Sequence, residues 1–279
     1  MPTCPDAPHM DLESYAYTLT LSRSRWAWEF LRRNADFLAD AGREPPGALS
    51  IRKACPRTLL VKPRTDQVAA DRWGLAFFPD PAANGYDALA FWSAARFPRQ
   101  VQLQVSPAMP GERCEIYERT RKLCDIVHLV DMAGREHLLV KGNGHIVQVQ
   151  CSGLSLLTLD PVRLGFLIRG VDTFQQRVNL LAEAQRVYGD AASQARLAWT
   201  RTRVSLRNAL IAWDCQQEGL SLRQTACVIH GPERAVAAWS GPSRAMKDEM
   251  RRARKRAYNL VHGGYRHLLS RAPSGRRTL

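Results

Sequence analysis

The sequence lacks the features that mark several classes of protein. No stretch approaches the roughly 18 consecutive apolar residues that a membrane span requires. The 7 cysteines are scattered without a CxxC pair, so their spacing suggests neither a disulfide framework nor a zinc module. The first residues also lack the basic and then apolar pattern of a secretory signal. We therefore expect a cytoplasmic protein that makes no contact with a membrane.

Motifs for cofactor binding are missing as well. Neither GxxxxGK[ST] nor GxGxxG occurs, and the glycine-rich "KGNGH" is typical of a hairpin turn. His128, His137 and His145 fall one on each predicted strand. No cysteine or carboxylate completes a metal set with them at a recognised spacing. We therefore expect no cofactor and no metal ion.

Acidic residues are scarce near the end of the chain. The 279 residues carry a net charge of +14, and residues 201–279 hold 16 Lys and Arg against 5 Asp and Glu. The two earlier regions are almost neutral, with 13 against 11 in residues 1–110 and 11 against 10 in residues 111–200. A positive field this localised attracts a polyanion. We therefore expect a nucleic-acid partner at the C-terminal end.

The hydrophobic pattern predicts a mainly α fold with one small antiparallel β-meander. Three apolar runs between residues 126 and 150, separated by "MAG" and "GNG", predict the meander. The segment from 50 to 110 is rich in proline and aromatics, which indicates loops, short helices and at most one strand. The later pattern is helical, and we expect helices at 161–169, 171–188, 193–217, 221–230, 232–239 and 243–262.

The stretch "SRAMKDEMRRARKRAYNLVHGG" predicts one amphipathic helix, with Ser243 as its cap and Gly263–Gly264 at its end. Its apolar stripe consists of Met246, Met250, Ala253, Ala257, Leu260 and Val261. The opposite side carries Arg244, Lys247, Arg251, Arg252, Arg254 and Lys255. A solvated face normally mixes signs, whereas only Asp248 and Glu249 interrupt this one. We therefore predict that this basic face binds nucleic acid.

The preceding segment "LSLRQTACVIHGPERAVAAWSG" has the spacing of a helix-turn-helix. Ala226 is small enough for the crossing of the two helices, and His230, Gly231 and Pro232 form a sharp turn. Val236 and Trp239 then occupy the inner face of the second helix. Near the start of the first helix lie Arg223 and Gln224, where helix-turn-helix proteins often contact phosphate.

Two assignments of the recognition helix stay open. Either the short helix with Glu233 and Arg234 enters the major groove, or the long basic helix enters it. We favour the basic helix because the short one offers few side chains that read bases. In that arrangement base edges are read by Arg244, Lys247 and Arg251. Phosphate contacts that set the register come from Arg223, Lys255 and Arg266.

The N-terminal helix predicted near residues 22–41 carries two tryptophans, Trp26 and Trp28. Side chains two residues apart cannot both face one core on a regular helix. One of them, or the neighbouring Arg32 and Arg33, is therefore expected to contact a partner such as RNA polymerase or DNA. The alternative, in which both tryptophans are buried between domains, stays open.

Two groups of motifs resemble known families. "SLRQTACVIHG", Trp239, the Arg-rich helix and "GGYRHLLSR" resemble the C-terminal domain of a proteobacterial family catalogued as a domain of unknown function. "YAYTLTLSRSRWAWEFLRRN" with "WGLAFFPDP" resembles a second such domain. Proteins that join these halves resemble transcriptional activators that switch on excision and transfer of integrative and conjugative elements. The resemblance implies promoter binding and activation of an excisionase-type gene. In "LRQTACVIHG" the chain departs from the family, which tends to have an acidic and a bulky apolar residue near the glycine.

Two alternative hypotheses stay open. One is an interaction protein whose basic face binds an acidic partner. The other is an enzyme that acts on DNA, or an accessory factor in recombination or partition. A tyrosine recombinase needs a His-x-x-Arg, but "HGPER" spaces His230 and Arg234 one residue too far apart. Tyr265 after the predicted helix end is more simply a packing residue. Asp131 and Glu136 flank a turn, a spacing common in hairpins, whereas a nuclease needs clustered carboxylates. We therefore expect no enzymatic activity.

These inferences give an expected organisation in three parts. Residues 1–104 form a helical, aromatic-rich domain, and residues 105–271 form a second domain. The second domain contains the meander at 126–150 and a helix-turn-helix-like DNA-binding part at 193–271, and residues 272–279 form a disordered tail. We predict a nucleoid-associated transcriptional activator. Its expected partners are double-stranded DNA, RNA polymerase and an antagonist protein.

Overall fold

The computed structural model describes residues 10–45, 47–112, 120–158, 160–168, 173–188, 198–241 and 244–270. Within these ranges the chain forms two compact units. Residues 10–34 and 198–268 form the helical unit, and residues 35–188 with 269–270 form the sheet unit. The domain boundary expected after residue 104 stays a prediction. Ser243, expected as a helix cap, and the tail at 272–279 lie outside the described residues.

The sheet of the sheet unit has seven strands among the described residues. They are β1 (Leu49–Cys55), β2 (Thr58–Pro63), β3 (Val101–Pro107), β4 (Asp125–Val130), β5 (Glu136–Gly142), β6 (His145–Gly153) and β7 (Val162–Phe166). Their spatial order is β1-β2-β4-β5-β6-β3-β7. The pairs β2/β4 and β3/β6 are parallel and the other neighbours are antiparallel.

The numbered helices of the described residues lie before, between and after these strands. They are α1 (Arg23–Leu31), α2 (Ala35–Ala41), α3 (Val68–Asp71), α4 (Phe174–Tyr188), α5 (Arg201–Gln217), α6 (Leu222–His230), α7 (Pro232–Ser240), α8 (Ala245–Asn259) and α9 (Arg266–Ser270). A 3-10 helix spans Glu13–Thr20, and a π-helical turn spans Leu260–Gly264.

The sheet corrects the predicted fold class. The described residues contain 45% helix, 21% strand and a seven-stranded mixed sheet. The protein therefore has an α/β fold, and the expectation of a mainly α fold with a small meander is wrong. The predicted meander is the centre of the sheet, β4-β5-β6. Most of the helix expected at 161–169 is strand β7 instead, because Val162, Leu164 and Phe166 alternate along a strand that pairs with β3.

Both faces of the central strands are buried. On one face Leu138, Val140 and Val149 pack with α4. On the other face Leu139 packs with aromatic residues from the segment that the sequence predicted to be mainly loop, including Phe77 and Phe91. A strand covered on both faces has a continuous apolar run, which accounts for "LLV" in β5.

The helical unit is assembled from the two ends of the described chain. Helix α8 packs on α5 and α6, and α1 packs on α5 and on the turn that follows α8. Every residue of α1 from Ser24 to Leu31 is buried. A helix enclosed on all sides buries apolar side chains at every angle, so Trp26 and Trp28 are both in the interior.

Candidate nucleic-acid interface

The basic helix α8 is amphipathic in the way the sequence predicts. Met246, Met250 and Ala257 are buried within α8, and Leu260 and Val261 continue this stripe into the following turn. Ala253 is half-buried. Gly263 has a φ of +112°, a conformation that glycine adopts readily, and it ends the helical run where expected. The buried stripe fixes which side of α8 faces solvent.

The solvent side of α8 is strongly positive. Four side chains that we expect to contact DNA are exposed: Arg244, Arg251, Arg252 and Lys255. Asp248 neutralises part of this charge, since its Oδ1 lies 3.0 Å from Nη1 of Arg251. Both groups of that pair are largely exposed, so the pair contributes little stability. The face therefore keeps a net positive charge.

Lys247 and Arg254 are placed differently from the exposed arginines. Lys247 is half-buried, with Nζ 5.5 Å from the ring centre of Trp239 in α7. Arg254 donates from Nη2 to the carbonyl oxygen of Leu220 at 3.1 Å. Because Arg254 follows Met250 by four residues, it lies above the buried stripe rather than opposite it. It joins α8 to the connection that precedes α6.

Helices α6 and α7 have the geometry of a tight helical pair. Gly231 joins them with a φ of +85°, and Ala226 and Ala235 are fully buried. Ala226 therefore occupies the close-packed position that the sequence assigned to it. Val236 and Trp239, expected on the inner face, are half-buried. The assignment of this pair as a DNA-reading helix-turn-helix stays a prediction.

Three predicted contact residues lie on this helical pair. Gln224 forms a capping box with Ser221, accepting from its backbone N at 2.9 Å and its Oγ at 2.8 Å. Its carbonyl oxygen is thus committed to the helix start. Arg223 beside it is half-buried, whereas Arg234 in the first turn of α7 is exposed. Nε2 of His230 lies 3.2 Å from Oε1 of Glu249, which connects the end of α6 to α8.

The segment after α8 supplies a contact residue and a packing residue. Arg266 is exposed, with its guanidinium carbon 5.2 Å from the ring centre of Tyr265. Tyr265 itself is 0% exposed, in agreement with the packing role that the sequence indicated. Sequence reasoning missed Tyr258, which is 55% exposed and stacks on His262 with ring centres 4.1 Å apart. The sequence does carry a signal for Tyr258. It is an aromatic residue on the exposed side of a basic helix, and it lies four residues before a histidine.

The residues of the N-terminal helix that we expect to contact a partner lie inside the helical unit. Trp26 is 1% and Trp28 0% exposed. Arg32 and Arg33 pair with the fully buried Glu29 at 2.8 and 2.7 Å. All four residues therefore have packing or ion-pairing roles, and the contact with RNA polymerase or DNA stays a prediction.

A buried ion-pair network connects α1 to α5. Arg33 donates from Nε and Nη2 to the two carboxylate oxygens of Asp214 at 2.6 and 2.8 Å, and Tyr15 donates to the same carboxylate at 2.8 Å. Burial opposes the ionisation of Glu29, but Arg33 and Arg32 outweigh it and hold the pKa of that carboxyl below its usual value. Burial lowers the pKa of the neighbouring Arg25 to about 9. The charges of Arg32 and Arg33 are therefore compensated within this network by Glu29 and Asp214.

The histidines and carboxylates weighed for catalysis or metal binding lie in the sheet unit. Glu136 lies 3.0 Å from His128, whereas Asp131 pairs with Arg135 at 2.8 Å and lies 3.3 Å from His137. Each carboxylate thus stabilises a different part of the hairpin. Within the described ranges, no group of three or more His, Cys, Asp or Glu could hold a metal ion. No helix among these residues is long and apolar enough to cross a membrane.

Comparison with protein families adds two matches. Residues 168–270 match the model described as "T6SS, Transcription factor, DNA binding domain". Residues 10–78 match the model described as "Proteobacterial transcriptional regulator-like domain". No curated protein matches the chain. The first match contains all of α5 to α8, and the two together support a two-part, DNA-binding transcriptional regulator.

Proposed function

We propose that the protein is a sequence-specific transcriptional activator that binds promoter DNA through α8. The observation that carries the proposal is the exposed positive side of α8, opposite a stripe packed on the core. Arg252 and Lys255 have no acidic partner among the described residues. Such a face repels itself unless an anion neutralises it, and the phosphates of duplex DNA are suited to do so.

In the proposed complex, α8 lies in the major groove. Base edges are read by Arg244, directly before α8, and by Lys247 and Arg251 in its N-terminal half. Phosphate contacts come from Arg223, Arg252, Lys255 and Arg266. Arg254 and Gln224 support this surface, since one joins α8 to Leu220 and the other caps α6.

The alternative recognition helix is α7, with Arg234 in its exposed first turn. The two arrangements predict different losses of specificity. If α8 reads bases, Arg251→Ala relaxes the preference for the operator by about 1–3 kcal/mol, and Arg234→Ala weakens all duplexes alike. The reverse pattern would assign recognition to α7. The affinities of the Arg251→Ala and Arg234→Ala variants for the operator and for a scrambled duplex distinguish the two arrangements.

The proposed targets are the excision and transfer genes of an integrative and conjugative element. This part of the proposal rests on the resemblance of the joined halves to activators of such genes. Activation requires a contact with RNA polymerase and leaves room for an antagonist protein. The proposal places the protein with the nucleoid in the cytoplasm.

The proposed function is tested by run-off transcription from promoters near the protein's own gene, with purified RNA polymerase. We expect the wild type to raise transcript levels and Lys247→Ala/Arg251→Ala to abolish most of the increase. A matched control, Lys53→Ala/Arg64→Ala, removes the same charge from exposed positions in the sheet unit and should activate normally. Lower transcript levels with the wild type would contradict activation while leaving DNA binding intact.

A DNA-processing enzyme remains the rival function, and Tyr265 is its candidate nucleophile. The complete burial of Tyr265 favours packing over catalysis. We expect Tyr265→Phe to retain DNA binding and activation. Covalent attachment of DNA to the wild type that is absent in Tyr265→Phe would support the enzyme instead.

A further inference from the structure

An apolar cavity of about 190 Å³ lies within the sheet unit, between the sheet and α4. Its inner walls are formed by side chains that are almost completely removed from water, among them Leu103, Leu138, Val149, Leu164, Ala184 and Val187. Interiors are normally packed without voids of this size. A somewhat smaller engineered apolar cavity, of roughly 150 Å³, stays dry and binds benzene. The cavity therefore has the size and lining to hold an aromatic ring with one substituent.

One wall of the cavity is fixed by a polar network. Glu136 accepts hydrogen bonds from Oγ of Ser155 and, at 2.9 Å, from the backbone N of Leu156. On its other side Glu136 lies 3.0 Å from Nε2 of His128, which lines the cavity. Leu156 and Leu157 also line it, and Leu157 is 44% exposed. The network thus holds the loop that forms the rim of the cavity.

The accessible side of the cavity is positively charged. Arg121 lines it and is exposed. Leu60 also lines it, and Arg52 lies directly opposite Leu60, on the same face of the sheet. Within the described part of the chain, no salt bridge holds Arg52 or Arg121, whereas the nearby Arg57 is paired with Asp125 at 3.0 Å. A negatively charged group at the rim would therefore be stabilised.

We propose that this cavity binds a small aromatic carboxylic acid. The ring occupies the apolar interior, and the carboxylate meets the guanidinium of Arg121 at the rim, in a charge-assisted hydrogen bond. The site gives the sheet unit a ligand-binding role that does not depend on the DNA-binding function proposed for α8.

Benzoate is the probe for this proposal, and benzyl alcohol is its neutral analogue of similar size. Binding to the full chain is measured by ligand-observed NMR titration. Because a ligand of this size has few atoms, we expect a Kd for benzoate in the range of about 0.1–10 mM. We expect Arg121→Gln to weaken benzoate by roughly 5–10-fold and to leave benzyl alcohol unchanged. Lys53→Gln, on the opposite face of the sheet, is the control and should change neither.

A second variant tests whether the probes enter the cavity. Leu60→Trp enlarges a half-buried side chain of the lining, and we expect it to abolish binding of both probes. If that variant does not fold, the proposal is tested by comparing benzoate binding to Arg121→Gln and to Lys53→Gln. The proposal is overturned if the wild type binds neither probe, if Leu60→Trp binds both as the wild type does, or if Arg121→Gln leaves benzoate unaffected. None of these results bears on DNA binding, which is measured separately.

Discussion

Two basic regions of the helical unit use their positive side chains in opposite ways. Near the end of α1, Arg32 pairs with Glu29 at 2.8 Å, and Arg33 pairs with Glu29 at 2.7 Å and with Asp214 at 2.6 Å. In α8, Arg252 and Lys255 point to solvent, without an acidic partner among the described residues. The first region stabilises the unit, whereas the second produces the field that an anionic partner can neutralise. Pairing and burial, more than the number of arginines, separate a structural cluster from a binding surface.

The largest expected effect breaks the buried network. Glu29→Gln removes the carboxylate that pairs with Arg32 and one of the two that pair with Arg33. We therefore expect the free energy of unfolding at pH 7 to fall by about 3–5 kcal/mol. Chemical denaturation measures it, and Glu13→Gln at an exposed position of the same unit is the control, with a change below about 0.5 kcal/mol. Equal losses of unfolding free energy in both variants would contradict a stabilising role for the buried ion pairs of Glu29.

The same network predicts a pH dependence. The pKa of Glu29 is lowered in the folded state, so its contribution to stability is complete above the unfolded-state pKa of about 4.3 and is lost as the pH falls through the lower folded-state pKa. The stability difference between the wild type and Glu29→Gln should therefore shrink as the pH falls. If the stability difference stayed constant across the acid range, it would not arise from the ionisation of Glu29.

Substitutions on the two sides of α8 should differ in their effect on stability. Met250 is completely buried, so Met250→Ala is expected to reduce the free energy of unfolding by about 2–5 kcal/mol. Arg252→Ala, on the exposed side, is expected to change it by less than about 0.5 kcal/mol. Thermal unfolding of both variants measures this contrast, and comparable losses would place Arg252 in the core rather than on the surface.

Salt dependence sharpens the role of the exposed cations. Each phosphate contact contributes about 0.9 to the slope of log K against log salt concentration. Arg252→Ala/Lys255→Ala should therefore reduce the slope by about 2. The control Lys53→Ala/Arg64→Ala removes the same net charge elsewhere and should leave the slope unchanged. An equal reduction in both would indicate a diffuse effect of net charge.

The smallest expected effect concerns the acidic residue within the basic face. Asp248→Asn releases Arg251 from its 3.0 Å pair and removes a charge that repels phosphate. We expect DNA affinity to increase by about two- to fivefold, the range of an exposed ion pair. Fluorescence anisotropy measures the change, with Asp36→Asn as an exposed control. A weaker complex would mean that Asp248 positions Arg251 for binding.

Local sequence patterns predicted the C-terminal helices well. The helices expected at 221–230, 232–239 and 243–262 correspond to α6, α7 and to α8 with its following turn. These elements have strong local signals: the Ser221 cap, the Gly231 turn and the periodic apolar stripe that contains Met246 and Met250. Because each signal lies within a few residues of its effect, sequence reasoning captures it.

The sheet was harder to predict because its strands pair over long distances. The strands β2 and β4 are parallel neighbours, as are β3 and β6, and no local pattern encodes such a pairing. Strand β1 is an edge strand with mostly exposed side chains, so it lacks clear alternation. A usable signal did exist in "VQLQV", where Val101, Leu103 and Val105 alternate and are buried.

For the candidate site, the sequence indicated the polarity of α8 but not the tertiary partners of its residues. Arg254 donates a hydrogen bond to the carbonyl oxygen of Leu220, which is 34 residues away in the sequence. Arg33 donates to Asp214, which is 181 residues away in the sequence. Neither partner is visible in a local window. The prediction from residue type alone therefore assigned DNA contacts both to exposed arginines and to arginines that form hydrogen bonds within the protein.

The most direct test of α8 as the DNA-binding surface is a DNase footprint on promoters near the protein's own gene, in the presence of non-specific competitor DNA. The wild type, Lys247→Ala/Arg251→Ala and the control Lys53→Ala/Arg64→Ala are compared after their folding has been verified. We predict a discrete protected window with the wild type and the control, and none with the α8 variant. Equal protection by all three proteins, or no window at any promoter, would contradict recognition of a specific site through α8.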